Sequence, residues 1–101
     1  MEIGGIDIQF ETERLISLSE IENVIRSFWP NCIAENATNR QDYQELFVYQ
    51  DANAVKNWES DVSPIINDMI YVISEPKHLT LVIDERTPEI EPILNKIEQL
   101  R

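Results

Sequence analysis

Ile6, Ile8 and Phe10 alternate with Asp7, Gln9 and Glu11, the two-residue period of a strand with one buried face. Ser17 and Glu20 follow at the spacing of a capping box, in which each side chain accepts the other residue's backbone N–H, and Ile16 and Ile21 are placed as its hydrophobic staple. Leu18, Ile21, Val24, Ile25 and Phe28 then recur at helical intervals. They predict a first helix from about Leu18 to Trp29, stopped by Pro30. Cys32 to Glu35 reads as a short strand, and the polar run from Asn36 to Asp42 as a loop. From Tyr43 through Leu46, Phe47, Val48 and Tyr49 both faces are apolar, as expected of an interior strand.

Asp51 is placed to cap a second helix, Ala52 to about Glu59, with Ala54, Val55 and Trp58 turned inward. Pro64 marks the loop after it. Met69 to Ile73 and His78 to Ile83 read as two strands joined by Ser74-Glu75-Pro76-Lys77 in an antiparallel hairpin. Ile90, Ile93, Leu94, Ile97 and Leu100 form the stripe of a last helix. Its start is set either by Thr87 as cap with Pro88 in the first turn, or near Pro92, since a proline deeper in the helix would remove a backbone donor. The order β-α-β-β-α-β-β-α defines an α+β fold: one domain over residues 1–101, with a mainly antiparallel five-stranded sheet and helices on one face.

Charge changes the picture more than composition does. The 101 residues carry 19 Asp and Glu against 8 Lys and Arg, a net charge of −11. The excess is even along the chain: residues 1–50 hold nine acids and three bases, residues 51–101 ten and five. For a compact domain of this size, screened attraction at the surface is roughly −1.3 kcal/mol per unit positive charge. A basic protein face is steered in, whereas nucleic acid and anionic membranes are repelled. Arg14, Arg26, Arg40, Lys56, Lys77, Arg86, Lys96 and Arg101 are scattered rather than clustered, which also disfavours nucleic acid. The longest apolar run, Met69 to Ile73, is too short to cross a bilayer, and no signal peptide is evident, so a cytoplasmic location is the default expectation.

Several chemistries lack their signatures. Gly4 and Gly5 are the only glycines, which leaves no phosphate-cradling loop, dinucleotide fingerprint or nucleophile elbow. Turns fall instead to residues such as Asn36, Asn39 and Asn67. Cys32 is alone, which precludes an internal disulfide and a four-cysteine zinc site, and an inert buried thiol is expected. His78 is the only histidine. A nucleophilic pairing of Cys32 with His78, or a pair of carboxylates in acid and base roles, supplies the enzymatic reading, placed third. Asp84, Glu85, Glu89 and Glu91 gather oxygen ligands suited to a hard cation, but their spacing matches no calcium loop. No cofactor or metal is assigned.

Alternation also divides the sheet. If Leu46, Val48, Ile70, Val72, Leu79, Leu81 and Ile83 face the helices, Phe47, Tyr49, Tyr71 and Thr80 face the other way, with Asp7 and Gln9 beside them. Aromatic contact area ringed by acids suits a protein-binding face. The expected function is therefore non-enzymatic binding of a basic protein partner, in its sharpest form an immunity or antitoxin type of inhibitor blocking a cationic toxin. The runner-up is a homo-oligomeric accessory domain, with self-association, as in a homodimer, through the same aromatics.

Overall fold

The computed structural model describes residues 5–60 and 65–101; Pro64 and the loop assigned to it lie outside the described residues. Five strands, β1 (Ile6–Glu11), β2 (Ile33–Asn36), β3 (Gln44–Tyr49), β4 (Met69–Glu75) and β5 (His78–Ile83), form one sheet in the order β1-β5-β4-β3-β2. Every neighbouring pair is antiparallel. Three helices, α1 (Leu18–Phe28), α2 (Ala52–Glu59) and α3 (Glu91–Glu98), complete the expected β-α-β-β-α-β-β-α order. Gly5, at φ +116°, lies against β5, where an added Cβ would sit 2.0 Å from the Ile83 carbonyl oxygen. Glycine is required there on both counts.

One face of the sheet is the core. Ile8, Phe10, Leu46, Val48, Ile70, Val72, Leu79, Leu81 and Ile83 meet the apolar stripes of α1 and α3, among them Ile21, Ile25, Ile93 and Ile97. Helix α1 starts as its sequence requires: the Ser17 hydroxyl accepts the Glu20 N–H at 3.2 Å, and the Glu20 carboxylate accepts the Ser17 N–H at 3.2 Å. Arg14 forks onto the same carboxylate through two 3.0 Å bonds. These bonds, Arg14 first and Ser17 after it, hold Glu20 down at about 2. At the far end of α1, Phe28 is exposed rather than in the stripe, because the helix closes on the Trp29 cap. Helix α3 takes the later of its two starts. Thr87 to Ile90 form a turn, and Pro92 falls in the first helical turn, where its missing N–H costs no bond.

Three local expectations shift. Cys32 precedes β2 and sits in the core, its N–H donated back to the Trp29 carbonyl. Strand β4 runs on to Glu75, so Glu75 pairs with His78 and only Pro76-Lys77 remain as the loop. The cause is Ser74, fully buried on the core face, whose hydroxyl donates to the Ile16 carbonyl oxygen at 2.6 Å. That bond satisfies a polar side chain inside the core and so lets the strand continue. The third shift concerns layering. Helices α1 and α3 cover the core face, whereas Val55, Trp58 and Glu59 of α2 line a cavity with Phe47, Tyr49 and Met69 on the opposite face. Because β3 and β4 are antiparallel neighbours, their connection needs no crossover, and α2 is free to settle on either side.

Asn67 ties the two ends of the β4-β5 pair together. Its backbone is left-handed, φ 58°, a conformation asparagine tolerates better than most residues. Its side-chain oxygen accepts the N–H groups of Asp84 and Glu85 at 2.9 and 3.2 Å, and its Nδ2 donates to the Glu85 carbonyl and the Thr87 hydroxyl. In return the Asp84 carboxylate accepts the Asn67 N–H at 2.7 Å.

Two stability measurements check these assignments. Ser17→Ala is expected to lower unfolding free energy by about 0.5–2 kcal/mol in urea denaturation, the range for a lost N-cap; an unchanged midpoint would mean the cap does not hold α1. Asn67→Gly keeps the left-handed backbone but removes the acceptor of two part-buried N–H groups, and should cost about 1–3 kcal/mol. Asn67→Ala should cost roughly 1 kcal/mol more, from the strain of φ above zero. Equal losses in the two variants would remove the backbone from that account.

Candidate functional site

The face opposite α1 and α3 presents the other half of each strand. From β1 come Asp7, Gln9 and Glu11; from β5 His78, Thr80 and Val82; from β4 Met69, Tyr71, Ile73 and Glu75; from β3 Glu45, Phe47 and Tyr49; from β2 Ile33 and Glu35. All five carboxylates of the strands, Asp7, Glu11, Glu35, Glu45 and Glu75, lie on this face, and no strand contains Lys or Arg. The five ion pairs among the described residues join Arg14 to Glu20, Arg26 to Glu22, Arg40 to Asp42, Arg86 to Glu91 and Arg101 to Glu98. None of them uses a carboxylate of the open face. An acidity even along the chain is therefore uneven in space.

Aromatic contact sits at the β3-β4 centre. Phe47 and Tyr71 pair directly across the ladder and stack with ring centroids 4.6 Å apart at 14°. The Tyr71 hydroxyl donates to the Glu45 carboxylate. Burial, reinforced by that bond and the negative charge behind it, pushes the phenol well above its usual range, so it stays a donor.

The six residues expected on this surface do share the face, but in two groups. Phe47, Tyr49 and Tyr71 lie together on β3 and β4, while Asp7 and Gln9 lie on edge strand β1, three strand spacings or roughly 14 Å from β3. Thr80 points the same way yet is only 6% exposed, hemmed in by Gln9 and Ile73 on the flanking strands. It is corrected from a contact residue to a buried one.

The sequence reading did not include the side chains that α2 adds. Glu35, Phe47, Tyr49, Trp58 and Glu59, with Val55, line a cavity of about 340 Å³ over the buried Met69. Trp58 Nε1 donates to the Asp68 carboxylate at 2.9 Å, which fixes the indole. Burial, with the Glu35 and Glu59 carboxylates nearby, raises the Tyr49 phenol. The signal for Trp58 was present as an inward-facing helix position; what was missing was which face of the sheet it meets.

Other candidates separate in space. Cys32 belongs to the helix-side core, its thiol pushed up by burial despite Arg26, whereas His78 lies on the open face between Glu11 and Glu75. The Cys32–His78 pair does not assemble. Asp84 serves Asn67, and Glu91 is forked by Arg86 at 2.8 Å through two bonds. Among the described residues no three metal-ligating side chains converge, and no helix is long and apolar enough to cross a membrane. Comparison with protein-family models, with curated proteins and with solved structures returns no match.

Asp68 yields a pH dependence. It is 2% exposed, one carboxylate oxygen holds Trp58, and the other has no partner among the described residues. Burial raises its pKa, and the Asp84 and Asp51 charges add to the effect. Folding therefore favours the protonated form, so this group's stabilisation is full below the unfolded carboxylate range and is lost as pH rises through the folded value. Asp68→Asn keeps an acceptor for Trp58 without the charge. The variant should gain stability relative to wild type as pH is raised from 3.5 to 7 in urea titrations; a gap constant across that range would contradict a raised Asp68.

Proposed function

We propose that the protein is a non-enzymatic binder of a basic protein partner, which docks on the open sheet face. The observation behind this reading is the segregation itself: the strands place five carboxylates and no Lys or Arg on one face, around a stacked Phe47–Tyr71 pair. Like charges held together on a folded surface repel, and an incoming cationic face relieves that repulsion while being steered by it. The half-buried aromatics supply contact area at the centre, and the acids Asp7, Glu11, Glu35 and Glu75 supply the rim.

The sharpest form of the proposal is an immunity or antitoxin type of inhibitor acting in the cytoplasm. Its carboxylates would occupy the positions that nucleic-acid phosphates take on a cationic toxin. Self-association through this same face is the weaker reading, because a two-fold interface sets each patch of like charge against its own copy. Ile65 and Ile66, both exposed, lie beside Trp29 and Ile90 at another cavity and offer a separate apolar contact.

Affinity capture from the source cell, followed by stopped-flow association kinetics, tests the proposal. The captured partner should be basic, and its association rate should fall by about tenfold or more between low and high salt. Asp7→Asn with Glu11→Gln should slow association severalfold while leaving the denaturation midpoint unchanged, and Glu89→Gln, off this face, should not. A rate flat in salt and indifferent to Asp7 and Glu11 would exclude docking on the open face.

A further inference from the structure

The cavity under α2 has a composition that a general docking surface does not need. Three aromatic rings, Phe47, Tyr49 and Trp58, line it together with two carboxylates, Glu35 and Glu59, and no Lys or Arg. Neither carboxylate takes part in an ion pair among the described residues. We propose that this cavity is a receptor for one arginine side chain, whose guanidinium stacks on the aromatic rings and pairs with Glu35 and Glu59. The proposal rests on the reading that the partner is a basic protein and names the chemistry of its central contact.

Three properties select this occupant. An aromatic face attracts cations through its quadrupole, and carboxylates beside it add Coulomb attraction, so an anion or a neutral apolar group leaves half the lining unused. The raised Tyr49 phenol has the same origin, since burial and the two glutamates both oppose a further negative charge there. Volume is the second property: about 340 Å³ accommodates a long side chain entering from outside and falls near the lower limit, roughly 300 Å³, for small-molecule pockets. Shape is the third. A guanidinium is planar, weakly hydrated and forked, so it can stack and still meet carboxylates edge-on, which a strongly hydrated ammonium does less well.

The walls are set before any ligand arrives. Asp68 holds the Trp58 indole, Phe47 is stacked on Tyr71, Tyr71 is bonded to Glu45, and Met69 beneath is buried. Glu35 stands opposite Phe47 in the β2-β3 ladder, and Glu59 ends α2. Asp68 is a positioning residue here, acting through Trp58.

The test uses the isolated protein and blocked arginine (N-acetyl-arginine methylamide), read by the indole N–H resonances of Trp58 and Trp29 in two-dimensional NMR. Saturable shifts at Trp58 with Trp29 unmoved are expected, with blocked citrulline at least tenfold weaker and blocked lysine severalfold weaker. Glu35→Gln and Glu59→Gln, both at exposed positions, should each weaken binding severalfold and together by tenfold or more, without altering the fold. Equal binding of citrulline, shifts at Trp29 alone, or indifference to both glutamate variants would overturn the proposal. Tetramethylammonium binding more tightly than blocked arginine would overturn it in favour of a methylated amine. The two readings fail separately. A captured partner that associates in a salt-dependent way but keeps its affinity with Glu35→Gln/Glu59→Gln removes the arginine receptor alone. Arginine binding that depends on both glutamates, with no partner sensitive to Asp7 and Glu11, retains the receptor and removes the docking face.

Discussion

Strand register is the constraint on which the rest of this molecule depends. Every strand alternates between core and open face, so a slip of one residue would carry acids such as Asp7, Glu45 or Glu75 into the apolar layer and push leucines and isoleucines out. Burying even one unpaired carboxylate is prohibitive, which makes the register steep in energy. Two local devices hold it. The Pro76-Lys77 loop sets β4 against β5 at one end, and Asn67 clamps the start of β4 to the exit of β5 at the other. Between them the buried Ser74 hydroxyl joins β4 to the backbone ahead of α1. The segregation of charge that defines the candidate site is thus a by-product of the rule that builds the core.

Helix α2 turns that passive surface into a shaped one. Had it joined α1 and α3, the open face would be a flat sheet with a stacked aromatic pair at its centre. By settling on the other side it brings Val55, Trp58 and Glu59 against Tyr49 and Met69. The cost of that arrangement is visible at Asp68, buried with one oxygen unpartnered among the described residues while the other holds the indole. A buried polar group left partly unsatisfied destabilises the fold, and such groups are found where geometry matters more than stability.

Much of the fold was legible because the pattern carries it directly. The alternation Ile6–Glu11, the Ser17–Glu20 box and the Asp51 cap each specify a local structure that depends on few distant contacts, and all three are present in the fold. Positions that depend on tertiary contacts were less legible. The end of β4 hinged on a bond from Ser74 to Ile16, fifty-eight residues away, and the start of α3 on which of two prolines could fall in a first turn. The site divides in the same way. Which residues share the open face follows from parity, and Phe47, Tyr49 and Tyr71 are on it; that Thr80 is buried there follows from its neighbours on β1 and β4, which sequence parity does not supply. The side on which α2 packs has no periodic signature at all, so the cavity could not be read in advance.

Concentrating acids on one face has consequences for association in both directions. Among the described residues, edge strands β1 and β2 end the sheet with unpaired backbone groups, the usual template for unwanted pairing between copies. Here β2 is only four residues long, and both edges bear carboxylates, Asp7 and Glu11 on one and Glu35 on the other. Two unit charges about 10 Å apart repel by roughly 0.4 kcal/mol in water before screening, so each pair contributes little. Summed over a whole face brought against its own copy, the terms work against self-association, while the same terms reverse sign for a cationic surface. A ligand that binds only the folded protein also stabilises it in proportion to its affinity. A basic partner would therefore both find this face and offset the repulsion that the strand register builds into it.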